Sequence, residues 1–140
     1  MKGEPAPNSD HVGRYCSGTH IREDGTISGT AFRPRPTDDF LSINWLEFLT
    51  SKNRDEQIRA LREVLGLKLR LGANAKIAVH NVGELIDHVL SQSPDERRLR
   101  VLHQPEEQDP SHSGVFGLTS EDDLVADLLA EAIQEAYPAS

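Results

Sequence analysis

Between Asn53 and His103 the apolar residues change their spacing repeatedly, and that alternation limits the chain to folds in which helices and strands share one core. Ile58, Leu61, Val64 and Leu65 recur at the spacing of one helix face. Asn53 with Glu56 three residues later is a capping arrangement, and Gly66 supplies a stop. Leu67, Leu69 and Leu71 then alternate with Lys68 and Arg70, the period of a half-buried strand. Lys76 to Asn81 reads as another strand. Val82, Leu85, Ile86, Val89 and Leu90 return to helical spacing before Pro94, and Leu99 to His103 returns to a strand.

The flanks extend the pattern. His11 to Cys16 reads as a first strand. Asp24–Gly25 is a turn signal between Ile21–Arg22 and Thr26–Ile27, which predicts a hairpin running on through Phe32. The run Arg33-Pro34-Arg35-Pro36 must leave the ladder, because proline donates no backbone hydrogen bond. Phe40 to Ile43 is a short strand, and Asn44 is placed to cap a helical turn that buries Trp45, Phe48 and Leu49. A long polar connection, Gln104 to Gly117, leads to a last helix capped by Ser120 with Asp123 and packed through residues from Leu124 to Ala136. The expected fold class is α+β: one domain over residues 11–140, with a mixed or antiparallel sheet of about five strands and about three helices. Residues 1–10, polar and carrying Pro5 and Pro7, are expected to form a disordered tail.

Charge is distributed unevenly. All 15 Lys and Arg lie before Gln104, where they nearly balance 14 acids, whereas residues 104–140 carry nine acids and no Lys or Arg. Such a tail repels phosphate backbones and argues against non-specific DNA binding. It reads either as a solvated acidic helix or as a docking surface for a basic partner. Cys16 is the single cysteine, so neither an intrachain disulfide nor a cysteine-based zinc cluster can form. The opening residues lack the apolar run of a secretory signal, and no stretch approaches the ~20 apolar residues of a membrane span. A cytoplasmic location is the simplest expectation.

No Gly-rich phosphate loop, zinc-protease helix, nucleophile elbow or EF-hand loop is present. The richest segment is LHQPEEQDPSHSGVFG, which holds His103, Asp109, Ser111 and His112. Two histidines would serve as an acid–base pair or as metal ligands, with Asp109 completing a site; Asp109-Pro110-Ser111 is equally good turn chemistry. In the first strand, alternation sets His11 opposite Arg14 and Cys16, with Cys16 read as a buried thiol. Glu84 and His88 are four apart on a helix and read as an exposed pair. Arg33, Arg35, Arg97, Arg98 and Arg100 would form a basic patch, or pair with the acidic last helix; the second reading needs no ligand.

Three segments, HVGRYC, GTAFRPRPTDDFLSINWLEFL and DPSHSGVFGL, resemble a group of small uncharacterised bacterial proteins that share HVxRYC, LSxNWLE and DPSH stretches. The resemblance spans most of residues 11–118 and implies a bacterial, cytoplasmic origin without implying an activity.

Two functions follow as expectations. The first is a non-catalytic accessory or protein-interaction component of a bacterial multicomponent system, meeting a protein partner or another copy of itself through the acidic C-terminal helix. The alternative is a small histidine-dependent hydrolase or transferase acting on a nucleotide or RNA phosphate. There His103 and His112 would be acid–base groups or metal ligands, Arg14 would stabilise negative charge and Asp109 would orient a histidine. That enzyme requires the first strand to lie beside the strand ending at His103. No cofactor is implied by any motif.

Overall fold

The computed structural model describes residues 1–140. Six strands form one antiparallel sheet: β1 (His11–Cys16), β2 (Leu41–Trp45), β3 (Lys76–Asn81), β4 (Arg100–His103), β5 (His112–Phe116) and β6 (Glu135–Pro138), in the order β4-β5-β2-β1-β3-β6. Four helices accompany it: α1 (Leu46–Leu49), α2 (Arg54–Gly66), α3 (Val82–Gln92) and α4 (Asp123–Glu131). The fold is the expected α+β domain, with one strand and one helix more than anticipated. No helix is long and apolar enough to cross a membrane.

The helices start where their capping residues stand. The Asn53 side chain accepts from the Glu56 N–H at 2.9 Å, and Asn81 does the same for Glu84 at 2.9 Å. Each removes one of the unpaired N–H groups of a first turn, worth roughly 1 kcal/mol.

The sheet buries its two faces unequally. One face carries Val12, Cys16, Ile43, Trp45, Ala78, Val101 and Val115, covered by α3, α4 and a 3₁₀ turn at Gly29–Phe32. His80 is buried there, with Nε2 donating to the Leu129 carbonyl at 2.7 Å and Phe32 edge-on to its ring. Burial pulls its pKa down to about 4, against the opposing pull of that carbonyl. On the other face α2 lays Ile58, Leu61 and Leu65 over Leu46, Ile77 and Val79. This approach needs Gly13: a Cβ there would sit 2.8 Å from Leu61 Cδ2. The α2 cover reaches β1, β3 and β6 and stops; on the same face of β2 and β5 Phe40 packs over Gly114, Asn44 and His112 are buried, and Ser42 is exposed.

Several sequence expectations give way to tertiary pairing. The predicted hairpin over Ile21–Phe32 is reduced to one Ile21–Ile27 bridge between two 3₁₀ turns. Leu67–Leu71 finds no partner strand, and Leu67 stays 68% exposed. Asn44 caps nothing; it lies within β2. The long connection contains β5, and the last helix ends at Glu131 so that Glu135–Pro138 can pair with β3.

Residues 1–10 form an arm along β4 where a disordered tail was expected. Gly3 N–H donates to the His103 carbonyl at 2.6 Å, His103 N–H to Glu4 at 2.8 Å and Ala6 N–H to Val101 at 3.0 Å. The arm thereby satisfies the outer edge of β4, which would otherwise expose a row of unpaired groups.

Candidate functional site

The open half-face is built from the register of β2. Asn44 pairs with His112, and Ser42 with Gly114, so Ser42, Asn44 and His112 project to the same side, next to the C-terminal end of α2. β1 and β2 pair only at Val12–Trp45 and Gly13–Asn44, although β1 stays paired with β3 as far as Cys16. Beyond Gly13 the two strands separate, and the Arg14 guanidinium fills the gap. Its Nη1 donates to the Ser42 carbonyl at 2.7 Å and its Nε to the Ala31 carbonyl at 3.0 Å.

Arg14 has no carboxylate in an ion pair with it. Each nearby acid is held by another cation: Asp38 by Arg35 at 2.9 Å, Asp123 by Arg33 at 2.9 Å, and Glu106 and Asp109 by Lys68 at 3.2 and 2.6 Å. Burial lowers the Arg14 pKa, while Cys16 and Asp38 raise it only through space. A half-buried cation with main-chain carbonyls for company is stabilised when an anion joins it.

Beneath the surface, Asp109 is 1% exposed and accepts from Lys68 Nζ at 2.6 Å, Asn44 Nδ2 at 2.7 Å and Ser111 Oγ at 3.1 Å. Burial pushes its carboxyl pKa up, yet those donors together hold it below the ordinary carboxylate value. Lys68 is displaced in the matching direction: burial lowers it, but Asp109 and Glu106 hold it above the usual lysine value. The pair locks the segment after α2 onto the Asp109 loop.

His112 is nearly buried. Its Nδ1 donates to the Gln104 carbonyl at 2.8 Å, which fixes the tautomer and leaves Nε2 to accept from Ser42 Oγ at 3.2 Å. Above these groups lies a groove of about 480 Å³ whose lining includes Arg14, Lys68, Ser42, His112, Arg35 and His20. That volume suits a small ligand.

The four expected site residues therefore divide. Arg14 and His112 meet at the groove, with Asp109 below them as the partner of Lys68 rather than of a histidine. His103 does not join them. It pairs with Ser113, so the pleat turns it to the opposite face from His112, where it is 2% exposed, donates Nε2–H to the Pro110 carbonyl at 2.6 Å and packs edge-on against Trp45. β1 and β4 are separated by β5 and β2, so the adjacency the four-residue site needed is absent. No group of three or more His, Cys, Asp or Glu side chains is arranged to hold a metal ion, and His103, His112 and Asp109 do not converge on one.

The remaining candidates resolve structurally. Cys16 is buried, and burial pushes its thiol up to about 11. Glu84 bonds to Gln134 and His88 to Glu131 at 3.1 Å, so the expected exposed pair does not form. Arg33 pairs with Asp123, and Arg97 with Asp122 at 3.0 Å, which is the intramolecular reading of the basic patch. Sequence reasoning missed Ser42 and Lys68. The alternation of Ser42 with Ile43 was a signal for the first; Lys68 was masked by its place in a strand-like leucine pattern. No protein-family model, no curated protein and no solved structure matches the chain.

Proposed function

We propose that the groove binds a small phosphate-bearing ligand, of the size of a nucleotide or sugar phosphate, and that His112 exchanges a proton with it. The observation that carries this reading is Arg14: a guanidinium held between separated strands by two main-chain carbonyls, facing a groove where every acid is engaged elsewhere. Its planar fork suits two oxygens of one phosphate, while Arg35 and Lys68 stand at the rim in ion pairs with Asp38 and with Glu106 and Asp109. His112 is placed for proton transfer because its tautomer is fixed by Gln104 and its free nitrogen faces Ser42. Thermal-shift measurements with pyrophosphate and nucleoside mono- and diphosphates test the reading. The melting temperature should rise with pyrophosphate in the wild type and stay unmoved in Arg14→Gln; equal rises in both proteins would reject it.

A protein-interaction role through the acidic C-terminal helix is the second reading. Leu124, 49% exposed on α4 close to Asp123 and Asp127, favours it. Against it, Asp122 and Asp123 already neutralise arginines within the chain, which leaves less charge for a partner. Cross-linking at Leu124→Cys in cells decides whether a protein sits there.

A further inference from the structure

We propose that Ser42 is a nucleophile and His112 its base, and that the groove hydrolyses a carboxylic ester whose acyl or alcohol part carries the phosphate. The proposal rests on the groove being an anion site, and deepens it by naming the bond attacked.

Ser42 is exposed on the open half-face, with its Oγ 3.2 Å from His112 Nε2. That separation is at the outer end of nucleophile–base distances, which loosen in the absence of substrate. The base is oriented in turn, because the Gln104 carbonyl accepts from Nδ1 at 2.8 Å. Nucleophile, base and orienting group thus stand in sequence, with a main-chain carbonyl in the third role. A cation stands beside the same serine, since Arg14 Nη1 is bonded to the carbonyl of Ser42 itself. The serine is poor in other partners: its carbonyl serves Arg14 and its hydroxyl meets only His112.

The chemistry closes on these groups and water. Ser42 Oγ attacks the ester carbonyl carbon as its proton passes to His112 Nε2, and the carbonyl π electrons move onto the carbonyl oxygen. The C–O bond to the alcohol then breaks, and the proton on Nε2 goes to the leaving oxygen. Water attacks the acyl-Ser42 carbonyl, giving its proton to His112, and the acid departs as the proton returns to Ser42. No external oxidant or reductant enters.

The direct test is labelling with diisopropyl fluorophosphate, read by intact mass and peptide mapping. Here Ser42 Oγ displaces fluoride from phosphorus. One adduct on Ser42 is expected, lost in Ser42→Ala and slowed about a hundredfold in His112→Gln. Should that variant fail to fold, the same comparison is made between the folded wild type and the chain in urea, where labelling should fall to background. No adduct on the folded protein, an adduct elsewhere, or a Ser42 rate indifferent to His112 and to unfolding would overturn the proposal. Pyrophosphate should protect the wild type but not Arg14→Gln. Labelling of Ser42 without that protection would sustain the nucleophile while removing the anion reading on which its substrate class rests.

Discussion

One face of one sheet is treated in two ways. Over β1, β3 and β6 it is sealed by α2, through Ile58, Leu61 and Leu65, into an apolar cluster. Over β2 and β5 that helix is absent, and polar residues take its place: an exposed Ser42, with Asn44 and His112 buried above an ionised Asp109. The helix does not continue across, because after Gly66 the chain turns and spends Lys68 on Asp109. Stability sits where the helix covers the sheet, and chemistry where it stops. Asp109 gains no apolar packing under this half, and Arg14 reaches the groove from the Val12–Cys16 side of β1, so both are best explained by what they bind and position.

The largest expected effect tests the covered half. Leu61→Ala removes a fully buried side chain above Gly13 and should cost about 2–5 kcal/mol in urea unfolding. A loss under ~1 kcal/mol would mean that α2 is not the seal described.

Acid titration sharpens the contrast between buried neutral and buried ionised groups. His80 has its folded pKa depressed to about 4, so the unfolded chain takes up more protons and stability declines as pH falls from about 6.5 towards 4. The shift corresponds to roughly 3 kcal/mol. Asp109 is also depressed, so the stability it contributes is present above the ordinary carboxylate pKa and is lost only as pH falls below it. Chemical denaturation across pH should therefore show two separate losses, and His80→Gln should abolish the first. A flat profile above pH 4 would contradict the neutral burial of His80.

Next in size is Asp109→Ala, which strands Asn44 and Lys68 and should cost about 1–3 kcal/mol. Pyrophosphate binding should weaken with it, because Lys68 loses its anchor. The smallest effect is Arg35→Ala. Its ion pair with Asp38 is at the surface, so stability should not change measurably, while pyrophosphate affinity drops severalfold. Titration calorimetry on both variants separates loss of fold from loss of ligand.

Much of the frame was legible in the chain because its signals are local. Asn53 and Asn81 mark helix starts by hydrogen bonds made within three residues, and the strands at His11 and Lys76 carry enough apolar residues to declare themselves. β5 did not, since its buried interior is Ser113 and Gly114, and β6 continued a helical spacing through Ile133 and Ala136. Leu67, Leu69 and Leu71 imitated a strand without a neighbour to pair with.

The site was half legible for the same reason. Arg14, Asp109 and His112 stood out as residue types, but their meeting depends on the Asn44–His112 register and on the gap between β1 and β2, neither of which a single sequence displays. His103 shows the converse. It is close to His112 in sequence and chemically alike, yet the pleat sends the two to opposite faces.

The most direct measurement is an amide and arginine side-chain NMR titration with pyrophosphate. Shifts should concentrate on Gly13, Arg14 Nε, Ser42 and His112, saturate at one equivalent per chain and vanish in Arg14→Gln. Shifts centred on α4, or none at millimolar pyrophosphate, would contradict the assignment of the open half-face as the binding site.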